Sequence, residues 1–179
     1  MPDYSTILKF TSAEDRSPLS YVMRLHERHV KGDEYLPMYT TKYAGNSSSL
    51  LTFSYYSQVM QAYALEMAIR TLRLSKPYCM GSLYWQLNDV WPVSSWATVD
   101  YYGIYKAAHY RIRQLHNLLL IHVLHSESSY KVYMVNDHIQ SISLYVEIKI
   151  MDFNGSVYRN FSLERTAQGF ENAFLMSFN

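Results

Sequence analysis

The sequence predicts an α/β unit of the kind that builds barrels or doubly wound sheets, followed by an antiparallel β-sandwich. Three observations carry this. Residues 50 to 72 repeat apolar side chains at three- and four-residue spacing; a short apolar run over residues 80 to 87 lies between turn formers; and after residue 117 the apolar period falls to two. Helix, buried strand, long loop and helix form the repeating unit of α/β folds, whereas alternation interrupted by hairpin turns marks an antiparallel sheet. The change of period divides the chain into a first domain over residues 1–116 and a second over 117–179.

In order along the chain, Asp3 is placed to cap a short helix over Tyr4 to Phe10, with Pro2 near its start. A second helix is predicted from Leu19 to His29, ended by Gly32. The loop Gly45 to Ser49 leads into the strongest helix, Leu50 to Leu72, whose stripe is Phe53, Tyr56, Met60, Tyr63, Ala64 and Met67, and which Lys76 and Pro77 close. The run Met80 to Leu87 suits a strand of a parallel sheet, buried on both faces. A loop rich in Trp and Pro follows, then a helix over Tyr105 to Leu115. In the second half, Ile142, Leu144, Val146, Ile148 and Ile150 alternate with more polar residues, and Asn154-Gly155 signals a hairpin returning through Val157 to Leu163. Leu118 to Leu124 and Tyr130 to Val135 complete the predicted strands of an Ig-like sandwich that is short of strands and therefore incomplete.

Composition narrows the function. Hydrophobic residues make up 49% of the 179, enough for a buried core. Lys and Arg number 16 against 15 Asp and Glu, so the chain lacks the basic surface that displaces counterions from nucleic acid. No stretch reaches the roughly 20 apolar residues of a membrane span, and the start at Met1-Pro2-Asp3-Tyr4 has none of the segments of a signal peptide. The single cysteine, Cys79, excludes an internal disulfide and a multi-cysteine metal site, and is expected to be a buried, inert thiol. No metal or cofactor site is expected: the spacing of His26 and His29 matches no standard zinc pair, and there is no Gly-rich nucleotide loop or serine elbow. The 18 Tyr and 3 Trp suit stacking on sugars, but equally suit cores and interfaces. Asn46, Asn154 and Asn160 each begin an N-x-S/T sequon.

Residues 80 to 110, MGSLYWQLNDVWPVSSWATVDYYGIYKAAHY, resemble the last barrel strand and following loop of the β-mannosidases of glycoside hydrolase family 2. Upstream, MPDYSTI and HERHVKGD resemble the segment after that family's nucleophile motif, and TFSYYSQVMQAYALE the helix before the last strand; downstream, YKVYMVNDHIQSISLYVEIKIMDFNG resembles the sandwich domain that follows the barrel. The resemblance implies that residues 1–116 are the last strand–helix units of a (β/α)8 TIM barrel and residues 117–179 part of an Ig-like sandwich. It implies a parent enzyme that removes terminal, non-reducing β-D-mannose from oligosaccharides or glycoprotein glycans with retention, using a pair of glutamates about 5–5.5 Å apart. The nucleophile's Glu-aromatic-Gly-aromatic-Gln-Ser stretch would lie just before Met1 and the acid/base further upstream, so neither is carried over and no catalytic residue is assigned here. The chain alone is then expected to be inactive. The missing N-terminal domains and a β-mannoside are its expected partners, and a lysosomal or secreted location is expected if the parent is eukaryotic.

The residues that could contact sugar are Trp85, Asn88, Asp89 and Trp91. The resemblance makes Trp85 an apolar wall beneath the sugar; its alternative is a core Trp. Asn88 and Asp89 can bond hydroxyls or hold the loop through Asx turns. Trp91, Trp96, Tyr101 and Tyr102 either line the entrance or pack the loop. Glu14, Glu27, Glu34, Glu66 and Glu147 are expected to be solvated, and Asp89 alone cannot supply both proton transfer and nucleophilic attack. The chain departs from the family at Gly103-Ile104-Tyr105-Lys106, where a basic residue and an indole are lost, and at Gly32-Asp33. Another family 2 activity, or a non-catalytic sugar-binding or interaction module, is the competing reading.

Overall fold

Asp3 starts the first helix as its residue type requires: one carboxylate oxygen accepts from the Ser5 N–H at 2.8 Å, at the head of α1 (Tyr4–Ile7). Ser20 does the same for α2 (Tyr21–Leu25), accepting from the Met23 N–H at 3.2 Å. The computed structural model describes all residues, 1–179, and they form two units, Met1–His116 and Asn117–Asn179. None of its helices is long and apolar enough to cross a membrane.

The first unit is organised by α4 (Leu50–Leu74), whose buried face carries Leu50, Phe53, Ser54, Ser57, Ile69 and Arg73, whereas Tyr63, Ala64 and Met67 of the expected stripe are exposed. Near its start Leu50 and Phe53 join Met1, Ile7 and Met23 in one buried cluster; near its end Ile69 joins Ile112 and Leu115 of α5 (Ala107–Leu115) in another. Glu66 on α4 takes both Arg111 of α5, at 2.6 Å from Nε, and Arg70 one turn along. These pairs hold the Glu66 carboxyl below the usual range, the Arg111 hydrogen bonds contributing most, so Glu66 is a structural anion rather than a freely solvated one.

Gly32 does not end a helix but begins one, α3 (Gly32–Tyr43). Two residues that ordinarily break helices, Gly32 and Pro37, disguise it in the sequence. Asp33 and Glu34 in its first turn complement the helix dipole. Tyr35, Tyr39 and Tyr43 follow one another at four-residue spacing with ring centroids 6.5 Å apart, and Tyr63 of α4 continues the row at 6.4 Å.

The run Met80 to Leu87 forms no strand, and it is not buried on both faces. It keeps a two-residue period all the same: Ser82, Tyr84 and Gln86 are half-buried, while Leu83, Trp85 and Leu87 are exposed. A strand in a parallel sheet exists only where neighbours receive its backbone hydrogen bonds. Here the parallel pairings are two isolated bridges, Glu27 with Ser94 and Asn88 with Val99. The peptides Lys76–Pro77 and Trp85–Gln86 are cis. Cys79 is half-buried rather than buried, and its thiol donates to the Gly81 carbonyl at 3.2 Å.

The second unit is all antiparallel. Strands β1 (Leu119–Ser126), β2 (Ser129–Asn136) and β5 (Asn172–Phe178) form one sheet in the order β1-β2-β5; β3 (Ile142–Met151) and β4 (Val157–Ala167) form another. Along β3 the even-numbered residues turn inward and Glu147 faces out, as the alternation requires. Phe161 of β4 stacks on Phe178 of β5 at 5.0 Å, joining the two sheets in the manner of a sandwich. β5 lacks clean alternation, which hid it in the sequence.

Gly169 allows the turn before β5 to lie against the chain near Ile139: a Cβ there would sit 2.0 Å from the Ile139 carbonyl oxygen and 2.7 Å from its carbon. Backbone cannot rotate away as a flexible side chain can. Gly169→Ala is therefore expected to cost about 1–3 kcal/mol, the usual range for overpacking. In denaturant titrations followed by circular dichroism its transition should move to lower denaturant, whereas Gly81→Ala, with nothing within 4 Å, should leave the curve in place. Equal curves for both variants would show that the close approach carries no energy.

Candidate functional site

The segment after Leu87 folds back on itself through its own backbone. Thr98 donates to the carbonyls of Gln86 and Leu87 at 3.1 Å each, Val99 donates to Leu87 at 2.8 Å, and Asp89 donates to Val99 at 3.1 Å. Lys106 returns the chain to the same place, donating to the Thr98 carbonyl at 2.9 Å. Inside this double-back, Asp89 is only 6% exposed and Lys106 not at all, with Lys106 Nζ 3.3 Å from Asp89 Oδ2. Ser95 Oγ donates to the other oxygen, Oδ1, at 2.6 Å, and itself accepts from the Ala97 N–H at 3.0 Å. Burial pushes the Lys106 ammonium down from its ordinary value, opposed by Asp89 and then by Asp100.

Asp100 closes the far end of the loop. One oxygen accepts from the Tyr102 and Ile104 N–H groups at 3.0 Å each, and the other accepts from Thr6 Oγ1 at 2.6 Å, tying the loop to α1. The aromatics fasten the outside. His26 Nδ1 donates to the Pro92 carbonyl at 2.6 Å while its ring stacks on Phe10 at 4.0 Å, and Trp91 leans on the same imidazole at 5.4 Å. Trp96 donates through Nε1 to Gln86 Oε1 at 3.0 Å, and its carbonyl accepts from Gln61.

The four residues singled out from the sequence are thus brought to one region but into different settings. Both oxygens of Asp89 are engaged within the loop, and the Trp91 ring is packed against His26. Asn88 is exposed, its amide nitrogen donating to the Asp89 carbonyl at 3.2 Å. Trp85 is 74% exposed and stands between Leu83 and Leu87 on the open face of its segment. On the opposite face, Tyr84 packs against the α4–α5 core and its hydroxyl lies 3.5 Å from Thr98 Oγ1. A cleft of about 280 Å³ runs beside Trp85, lined also by Trp96, Met60 and Leu65. No grouping of His, Cys, Asp and Glu could hold a metal ion.

No family model matches the chain. Among curated proteins, β-mannosidase B of Aspergillus niger is 33% identical over 126 residues, covering 68% of this chain and 15% of its own length. β-Mannosidase B of Aspergillus fumigatus is 29% identical over 170 residues, covering 86% of this chain and 20% of its own. The crystal structure of the β-D-mannosidase of Dictyoglomus thermophilum superposes on 99% of this chain with a TM-score of 0.88 and 27% identity. The chain is similar to β-mannosidases over part of their length. It spans about a fifth or less of the β-mannosidase B sequences and 22% of the Dictyoglomus enzyme. An exo-chitosanase of Amycolatopsis orientalis shares the fold, with a TM-score of 0.70 at 18% identity.

Against this β-mannosidase background, sequence reasoning missed three groups. Lys106 carries no local signal, because the acid that holds it lies 17 positions away. His26 is one of seven histidines, and nothing in its neighbourhood points to Pro92. Glu27, expected to be solvated, is half-buried with its carboxyl against Gly32. Burial first, and then the negative charge of Asp33, raise that carboxyl from 4.5 to about 7.

The raised value has a definite sign. The folded chain holds the Glu27 proton more tightly than the unfolded chain, so this stabilising contribution is complete below about 4.5 and is lost as pH rises through about 7. All three tryptophans lie in the first unit, so indole fluorescence follows its melting alone. Burial pushes the Met1 ammonium down to about 4, which gives the opposite slope over this window, so the test is a comparison: between pH 5 and pH 8 the wild-type Tm should fall relative to that of Glu27→Gln. An identical slope in the variant would remove Glu27 as the cause.

Proposed function

We propose that this chain is the end of the catalytic (β/α)8 barrel of a retaining β-mannosidase together with part of an Ig-like sandwich. Its contribution to catalysis is an aromatic wall for a terminal β-D-mannose residue. Trp85 is that wall, and Asn88 lies beside it as a hydroxyl partner. Asp89 and Trp91 serve the site from behind, by holding the loop. Both catalytic glutamates belong to upstream sequence, so these 179 residues do not hydrolyse the substrate alone.

The observation that carries this reading is the division of residues 82 to 87 into an occupied face and an open one. Ser82, Tyr84 and Gln86 are half-buried, Tyr84 against the helices and Gln86 against Trp96 of the loop, as the outward residues of a barrel strand would be. Leu83, Trp85 and Leu87 are exposed, with Trp85 at the side of a cleft shared with Trp96 and α4, as inward residues would be if the other barrel strands were absent. An indole has apolar faces that match the C–H face of a pyranose. Excluding water there would strengthen the electrostatic contacts made by a carboxylate pair brought in by the rest of the barrel.

Expressed alone, the chain should release no aryl alcohol from an aryl β-mannoside above buffer background. In a protein extended upstream through both glutamates, Trp85→Ala should lower kcat/KM by roughly 30- to 200-fold, or about 2–3 kcal/mol, without a change in Tm. Trp91→Ala should lower Tm with a smaller kinetic effect, because its ring is engaged by His26. Wild-type kinetics in Trp85→Ala, or turnover by the 179 residues alone, would overturn the assignment.

A further inference from the structure

We propose that Asn154 is an N-glycan acceptor when this chain passes through a secretory lumen, and that Asn160, six residues on, is not. Both begin N-x-S sequons, Asn154-Gly155-Ser156 and Asn160-Phe161-Ser162, so the motif alone does not separate them. The structure does. Asn154 lies at the tip of the β3–β4 hairpin, where every residue from Phe153 to Asn160 is exposed and a Cβ built on Gly155 meets nothing within 4 Å.

The tip holds its shape without the Asn154 side chain. Asp152 accepts through Oδ1 from the Asn154 and Ser156 N–H groups at 2.9 Å each, its carbonyl accepts from Gly155 at 3.1 Å, and its own N–H donates to Ser156 at 3.0 Å. Gly155 supplies the positive φ, +90°, that the turn needs. The carboxamide of Asn154 is thus free to carry a large substituent.

The Asn160 sequon is built into the sheet. Its Nδ2, the atom that would carry the sugar, donates to Glu147 Oε1 on β3 at 3.0 Å. The middle residue, Phe161, is stacked on Phe178, and Ser162 stands opposite Glu147 in the ladder. A glycan at Asn160 would have to fit beside the Glu147 carboxylate already bonded to that nitrogen.

The transfer needs a lipid-diphosphate-linked oligosaccharide as donor. The bond from the first sugar's anomeric carbon to the diphosphate oxygen breaks, the bond from that carbon to Asn154 Nδ2 forms, and the displaced amide proton is balanced by the departing diphosphate.

The test expresses the full chain in yeast behind a cleavable secretion leader that carries its own sequon, in an Asn46→Gln background. Endoglycosidase trimming leaves one N-acetylglucosamine on each occupied asparagine, which peptide mass spectrometry locates. The expected result is the mark on Asn154 and not on Asn160, with Asn154→Gln removing the chain's glycan and Asn160→Gln removing none. A marked leader with Asn154 unmarked would overturn the proposal, as would a mark on Asn160, with or without one on Asn154.

Discussion

Lys106 and Asp89 lie out of water, and the double-back of residues 86 to 106 closes around the contact between them. A buried ion pair is not in itself a gain, because removing two charges from water costs several kcal/mol each and mutual attraction must offset it. What makes this pair effective is its completion. Ser95 satisfies the second carboxylate oxygen, and the backbone of Lys106 is pinned to Thr98, so neither charge can leave without disrupting the loop. Asp100 repeats the device at the other end, and its bond to Thr6 joins the loop to the leading helix.

The consequence is a segment with one rigid side and one open side. The tyrosine at 84 reaches back to Thr98 and the α4–α5 core, while the indole at 85 faces away. An exposed aromatic is a useful sugar platform only if its backbone does not drift, since positioning errors of about an ångström are costly in catalysis. Here the rigidity comes from charges and hydrogen bonds behind the indole rather than from packing around it. That separation lets a residue be both open and well placed.

Much of the helical architecture was legible where period and cap agreed. The extent of α4 and the Asp3 cap of α1 are written in consecutive residues, as is the alternation of β3, and their physics is local; which face of α4 is buried depends on distant partners, and Tyr63, Ala64 and Met67 lie outside it. α3 was hidden because Gly32 and Pro37 argue against a helix one residue at a time, whereas the tyrosine row and the acidic first turn favour it collectively. The run from Met80 to Leu87 was misread for the opposite reason. Its composition is that of a strand, but a strand is a relation between segments, and this chain supplies no neighbour. The site divides along the same line. Trp85 stood out through its place in a resembling motif, while Lys106, His26 and Glu27 act through partners distant in sequence, which no period reveals.

The account depends most on the Asp89–Lys106 pair, and a double-mutant cycle measures it directly. Lys106→Met should leave a buried carboxylate without its counter-charge and cost about 3–5 kcal/mol, with a comparable loss in Asp89→Leu. The double variant removes both charges together and should recover at least half of the summed loss, read as thermal stability by tryptophan fluorescence. Strictly additive losses would contradict the account, because they would mean that Asp89 and Lys106 stabilise the loop independently.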